Sequence, residues 1–228
     1  MAKDKVPVTI LTGFLGSGKT TLLNHILTAQ HGKKIAVIEN EFGEVGIDDA
    51  LIKPKLKTDT EEDVIEMMNG CICCTVRQDL VEVLKKLAKR SEKGLKLDAI
   101  VIETTGLADP APVAQTFFVD DDVKEFCTLD GIITLVDAKH VVQHLDDEKP
   151  EGAENEAVEQ LVFADKVLLN KVDLVEEAYL TEVETRIHAL NKTVEITRCV
   201  NAEVPIESVI GIGAFSLEEV MKMEPEFM

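Results

Sequence analysis

Eight consecutive residues, Gly13-Phe-Leu-Gly-Ser-Gly-Lys-Thr20, carry the spacing G-x-x-x-x-G-K-[ST]. Glycines so placed let backbone N–H groups turn inward around phosphate oxygens, and a helix N-terminus behind them adds partial positive charge. The apolar run at 8–11 precedes the loop and a helical pattern follows it, so strand, loop and helix come in the order phosphate binding needs. Gly13, Gly16, Ser17, Gly18, Lys19, Thr20 and Thr21 are therefore predicted to cradle a nucleoside triphosphate. Lys19 would neutralise the β and γ phosphates, and Thr20 would place its hydroxyl on Mg²⁺. The plain alternative is a glycine turn capping a helix beside an incidental Lys-Thr, and the flanking pattern argues against it.

Two later segments extend this site. The run at 99–102 ends in Glu103-Thr-Thr-Gly106, which puts a carboxylate at the carboxyl end of a strand, where open α/β sheets bind ligands. Glu103 is expected near Mg²⁺ or its waters, and the Gly106 N–H is expected to sense the γ-phosphate. The run at 167–169 leads into Asn170-Lys-Val-Asp173, which has the form N-K-x-D. A carboxylate at Asp173 can accept both the N1–H and the exocyclic N2–H₂ of guanine, a pair adenine lacks, so GTP is expected over ATP. Asn170 would fix loop and base, and Lys171 would lie along the base plane.

Cys71, Cys73 and Cys74 fall within four residues, too crowded for unstrained mutual disulfides. Three thiolates suit Zn²⁺, Co²⁺ or Cu⁺, and without a second C-x-x-C pair an open or transient site is expected rather than a closed zinc knuckle. The segment Glu39-Asn-Glu-Phe-Gly-Glu44 follows the second apolar run; its carboxylates either complete a metal shell or form a solvated loop. Cys127 and Cys199 read as small buried hydrophobes, His25 as structural, and His140 and His144 as ordinary surface residues.

These groups need a scaffold, and the pattern supplies one. Apolar runs at 8–11, 35–38, 99–102, 132–136 and 167–169, with a further one at 194–197, alternate with amphipathic stretches at 20–30, 79–90, 155–163 and 176–190. This βαβ rhythm predicts an α/β fold: a mostly parallel sheet with helices on both faces, in a single domain over 1–228. Segments 53–63 and 146–156 read as exposed loops. The formal net charge of −19 repels nucleic-acid backbone, and one Tyr, eight Phe and no Trp give little surface for base stacking. The chain carries neither an apolar run of bilayer length nor an apolar signal segment, so a cytoplasmic location is expected, or an organelle after loss of a transit peptide.

In their order along the chain, residues 13–20, 39–44, Gly70-Cys-Ile-Cys-Cys74, Glu103-Thr-Thr-Gly-Leu-Ala-Asp-Pro110, Leu129-Asp-Gly-Ile-Ile-Thr-Leu-Val-Asp-Ala138 and 170–173 closely resemble the GTPase domain of the CobW-like metallochaperones. The resemblance implies a P-loop NTPase fold, GTP hydrolysis with Mg²⁺, and a transition metal, most often Zn²⁺, delivered to a client metalloprotein. It implies metal ligation by Cys71, Cys73 and Cys74, with Glu39 and Glu44 as additional ligands; the sequence does not fix the oligomeric state and leaves a nucleotide- or metal-dependent homodimer open. Many members continue into a smaller C-terminal domain, which is expected to be absent here.

On this reading Mg²⁺·GTP orders residues 39–49 and the thiol segment, and hydrolysis loosens the metal site. A regulatory GTPase with a redox-sensing cysteine cluster is the main rival. A P-loop kinase acting on a small metabolite is the other, and it leaves both N-K-x-D and the thiols without a task.

Overall fold

The computed structural model describes residues 5–39, 75–147, 149 and 155–223. Cys71, Cys73 and Cys74, Glu44, the side chain of Glu39 and the loop predicted at 53–63 lie outside the described residues. The elements run β1 (Val6–Thr12), α1 (Lys19–Thr28), β2 (Ile35–Glu39), α2 (Thr75–Glu92), β3 (Ala99–Glu103), α3 (Ala111–Val119), α4 (Asp121–Phe126), β4 (Cys127–Asp137), α5 (Val141–Asp146), α6 (Glu156–Val162), β5 (Lys166–Asn170), α7 (Glu177–Leu190), β6 (Glu195–Arg198) and α8 (Leu217–Met223). Short 3₁₀ turns occupy Val172–Leu174 and Ile206–Ser208.

The six strands form one sheet in the order β2-β3-β1-β4-β5-β6, and every neighbouring pair is parallel. Side chains alternate across it. Val8, Ile10, Ala36, Ile38, Ile100, Ile102 and Ile132 pack on one face with Leu80, Leu84 and Leu87 of α2 and Ala114 and Phe117 of α3. Leu11, Val37, Val101, Ile133 and Leu135 point to the other face, onto Leu22, Leu23 and Ile26 of α1. A third cluster seats α6 and α7 against β5 through Leu161, Leu169, Val183 and Ile187. Strands buried on both faces read as near-continuous apolar runs, which is why their positions were visible in sequence. Among the described residues no helix is long and apolar enough to cross a membrane.

Several boundaries differ from expectation. Strand β6 lies one residue beyond 194–197, and α1 is shorter than 20–30. Helix α3, Ala-Pro-Val-Ala-Gln-Thr-Phe-Phe-Val, was not anticipated: with Val113, Ala114, Thr116 and Phe117 all buried it offers no polar face to mark a helical period. Strand β4 starts at Cys127 rather than at 132, because Asp130 breaks the apolar run while remaining inside. Its carboxylate accepts backbone N–H bonds from Gly211 at 2.8 Å, Ile212 at 3.0 Å and Gly213 at 2.8 Å, so the buried charge is compensated by the loop it anchors. Asp130→Ala leaves those three amides without their acceptor, and urea unfolding is expected to show a loss of about 2–4 kcal/mol.

Candidate functional site

Strands β1, β3, β4 and β5 end side by side, and each delivers a segment with chemistry: residues 13–20, 103–106, 137–140 and 170–173. The first loop closes tightly. Gly13 has φ +135°, and a Cβ there would stand 2.2 Å from the Leu135 carbonyl oxygen of β4. Gly18 has φ +112°, and a Cβ would meet Asn170 Nδ2 at 2.4 Å. Both positions demand glycine for conformation and for space.

Gly18 is the N-cap of α1 and supplies no side-chain cap; the first turn carries no acidic residue. The Leu22 N–H bonds the Gly18 carbonyl at 2.9 Å, so the N–H groups of Lys19, Thr20 and Thr21 precede the first helical bond and are open to an anion. The Ser17 hydroxyl is buried with no hydrogen-bond partner among the described residues. In a chain with net charge −19, this is local electropositive ground.

Lys19 is 7% exposed, and its ammonium donates to the carbonyls of Gly13 at 2.7 Å and Phe14 at 3.3 Å. Burial pushes its pKa below the ordinary lysine value, and the charge of Glu103 pulls partly the other way. A phosphate group beside it would supply the counter-charge that desolvation calls for. Thr20 Oγ1 lies 3.5 Å from Glu103 Oε1, at the end of β3. A hydroxyl and a carboxylate facing each other form an all-oxygen pair of the kind that suits Mg²⁺.

Gly106 sits directly on the phosphate loop: a Cβ there would lie 2.6 Å from Leu15 N and 2.8 Å from Leu15 Cα. Thr104 ties the same segment to β1, its N–H donating to the Leu11 carbonyl at 2.9 Å and its hydroxyl to Thr12 Oγ1, also at 2.9 Å.

The 170–173 segment is joined to the phosphate loop by side chains. Asn170, 2% exposed, donates from Nδ2 to the Ser17 carbonyl at 2.9 Å and accepts the Ala202 N–H on Oδ1 at 2.9 Å. Lys171 adopts φ +62° and sends its ammonium to the Gly16 carbonyl at 2.7 Å and to Asp137 Oδ2 at 2.7 Å. Its charged end is thus committed to the loop and to β4, leaving only the stem for the expected contact with a base. Asp173 is exposed in the 3₁₀ turn and makes no hydrogen bond or ion pair among the described residues.

Asp137 received no role from the sequence beyond its place in the stretch 129–138. Burial pushes its carboxyl up, but hydrogen bonds from Lys171, His140 and the Lys139 N–H hold it below the usual carboxylate range. The turn at 199–202 was also missed. Asn201 and Ala202 have positive φ, Ala202 is fully buried, and the Cys199 carbonyl accepts the Val172 N–H at 3.4 Å, which brings the turn beside Asp173.

His144 corrects the expectation of an ordinary surface residue. Its ring stacks on Phe14 of the phosphate loop with centroids 3.8 Å apart, and only 23% of its side chain is exposed. His140 pairs with Asp137 at 3.0 Å, so the two histidines serve different partners. His25 bonds the Val204 carbonyl at 3.1 Å, in keeping with a structural role. Burial pushes the thiols of Cys127 up to about 12 and Cys199 up to about 11, which suits inert core residues rather than thiolate ligands.

Comparison with known proteins gives a consistent result. The family model for the CobW/HypB/UreG nucleotide-binding domain matches residues 7–198. The zinc chaperone YjiA of Escherichia coli K12 is 40% identical over 226 residues, which cover 98% of this chain and 67% of YjiA. The zinc-regulated GTPase metalloprotein activator 1 of Dictyostelium discoideum is 36% identical, over 95% of this chain and 50% of its own length. The crystal structure of Zn(II)-bound YjiA GTPase superposes with a TM-score of 0.70 at 33% identity, covering 94% of this chain and 64% of that one. The chain therefore spans about half to two thirds of the length of these relatives. A nickel complex of HypB from Helicobacter pylori, 18% identical with a TM-score of 0.54, shares the fold.

Proposed function

From the chain's membership of the CobW/HypB/UreG family of nucleotide-binding domains, we propose that it is a GTP-hydrolysing metallochaperone. It takes up zinc at Cys71, Cys73 and Cys74 in a nucleotide-dependent way and passes the metal to a client metalloprotein. The observation that carries this reading is the near-full-length similarity to a zinc chaperone, 98% of the chain, in a protein with three cysteines at 71, 73 and 74. Glu39 and Glu44 are proposed as further metal ligands, Co²⁺ as a competing cargo, and a homodimer as a form favoured by nucleotide or metal.

The geometry supports a role in nucleotide binding for each of these segments. The open amides of α1 and the Lys19 ammonium hold the phosphates and stabilise charge that develops on the transferred group. Gly106, packed closely against Leu15, reports the γ-phosphate through its N–H. Asp173 reads guanine, and Asn170 keeps its strand end at a set distance from Ser17. Thr20 and Glu103 are the residues that would hold Mg²⁺, whose charge, when bound, stabilises the phosphate oxygens.

Metal release by hydrolysis requires a difference in metal-binding free energy between the GTP and GDP forms. A tenfold difference corresponds to about 1.4 kcal/mol and acts equally on nucleotide affinity. Chelator competition with Zn²⁺, run with Mg²⁺ and a nonhydrolysable GTP analogue and again with GDP, is expected to show at least about tenfold tighter binding in the triphosphate form. Cys73→Ala should abolish that difference. Uptake should release protons and weaken as pH falls, because thiols must ionise to bind. Superimposable curves for the two nucleotides would remove the switch.

A further inference from the structure

Helix α6 places one polar residue where an apolar one is expected. Gln160 shares the buried stripe of α6 with Ala157 and Leu161 and is 1% exposed. Its Nε2 donates to the Gly106 carbonyl at 3.2 Å and to the Ala108 carbonyl at 3.1 Å, reaching across to the turn after β3. Two carbonyl partners fix the orientation of the amide, since an oxygen in that position would face two acceptors. Oε1 has no partner among the described residues, so the side chain acts there purely as a double donor. The helix itself is pinned: Thr134 Oγ1 of β4 donates to the Gln160 carbonyl at 2.7 Å, and Asn155 caps the helix through the Ala157 and Val158 N–H groups.

A buried amide with an unpartnered oxygen is a costly choice for a core position that Leu or Met would fill. What it secures is the turn carrying Gly106, whose Cα is pressed against Leu15 of the phosphate loop. The turn is held on two sides, by Leu15 from the loop and by Gln160 from α6.

We propose that Gln160 is a positioning residue for GTP hydrolysis. It locks residues 106–108 so that the Gly106 N–H keeps a constant placement relative to the phosphate loop. The inference rests on the reading of the chain as a GTPase. Its effect passes through the Gly106 and Ala108 carbonyls. Since Gly106 is assigned to the γ-phosphate alone, loosening the turn should impair hydrolysis while sparing contacts common to GTP and GDP.

The test uses the full chain and two variants, Gln160→Met and Gln160→Asn. Met matches the length and suits a neighbourhood of Phe14, Leu135, Val141 and Leu161 but cannot donate; Asn keeps the amide but shortens its reach. For either folded variant, kcat/KM for GTP is expected to fall about tenfold or more, with GDP affinity within about twofold of wild type. An unchanged kcat/KM, or equal losses in kcat/KM and GDP affinity, would overturn the proposal, the latter by marking Gln160 as merely structural. In the wild-type protein the Ala108 amide, which donates to the Thr105 carbonyl at 3.1 Å, should be protected from hydrogen exchange with either nucleotide bound. Exchange there at the free-peptide rate would overturn the lock even if neither variant folds. Wild-type protein that does not hydrolyse GTP at all would overturn the parent reading as well, whereas active wild type with unimpaired variants overturns this inference alone.

Discussion

Replacing Lys19 with Met is expected to lower kcat/KM for GTP by about a hundred- to a thousand-fold, the scale seen when one preorganised donor to a charged transition state is removed. The ammonium is placed for this by the fold: it is 7% exposed and held by two carbonyls of the loop it serves, so little reorganisation is needed when phosphate arrives. Burial already disfavours its charge, and removing it should therefore cost little in folding stability. Steady-state hydrolysis measured beside thermal unfolding separates the two effects. A variant that melts like wild type and hydrolyses GTP within threefold of it would mean that residues 13–20 are not the phosphate site.

The second large effect concerns the base. Asp173→Asn is expected to weaken GTP binding by about a hundred-fold or more, since two charge-assisted hydrogen bonds are lost and each tenfold is about 1.4 kcal/mol. The same variant should gain affinity for xanthosine triphosphate, whose C2 carbonyl can accept from the new amide. Asp173 is exposed and bonded to no other described residue, so its exchange should leave the fold unaffected. Competition binding with the two nucleotides gives the readout; equal loss for both, or none for either, would remove Asp173 from base recognition.

Much of the proposed site was legible in sequence because the segments assigned to phosphate and to guanine are each local. Residues 13–20 and 170–173 each carry their chemistry within one short stretch, and the apolar runs beside them are strands buried on both faces. What could not be seen depends on contacts between distant parts of the chain. Asp130 falls outside the strand expected at 132–136, since only the loop at 211–213, far along the chain, explains a carboxylate inside. His144 looked like a surface residue, since its partner Phe14 belongs to the first loop. Asp137 takes its meaning from Lys171. Gln160 left a faint signal: its spacing of three from Ala157 and one from Leu161 sets it on the inner stripe of a helix, where a polar side chain implies a partner.

Asn170 bridges the Ser17 carbonyl and the Ala202 N–H with a single side chain. The two halves of the proposed purine nucleotide pocket are consequently prealigned by folding itself, and their alignment need not be bought from binding energy. Heat should undo both together: nucleotide retention and the integrity of the central sheet should fail over the same narrow temperature range, with no intermediate stage in which phosphate is still gripped but the base has been let go.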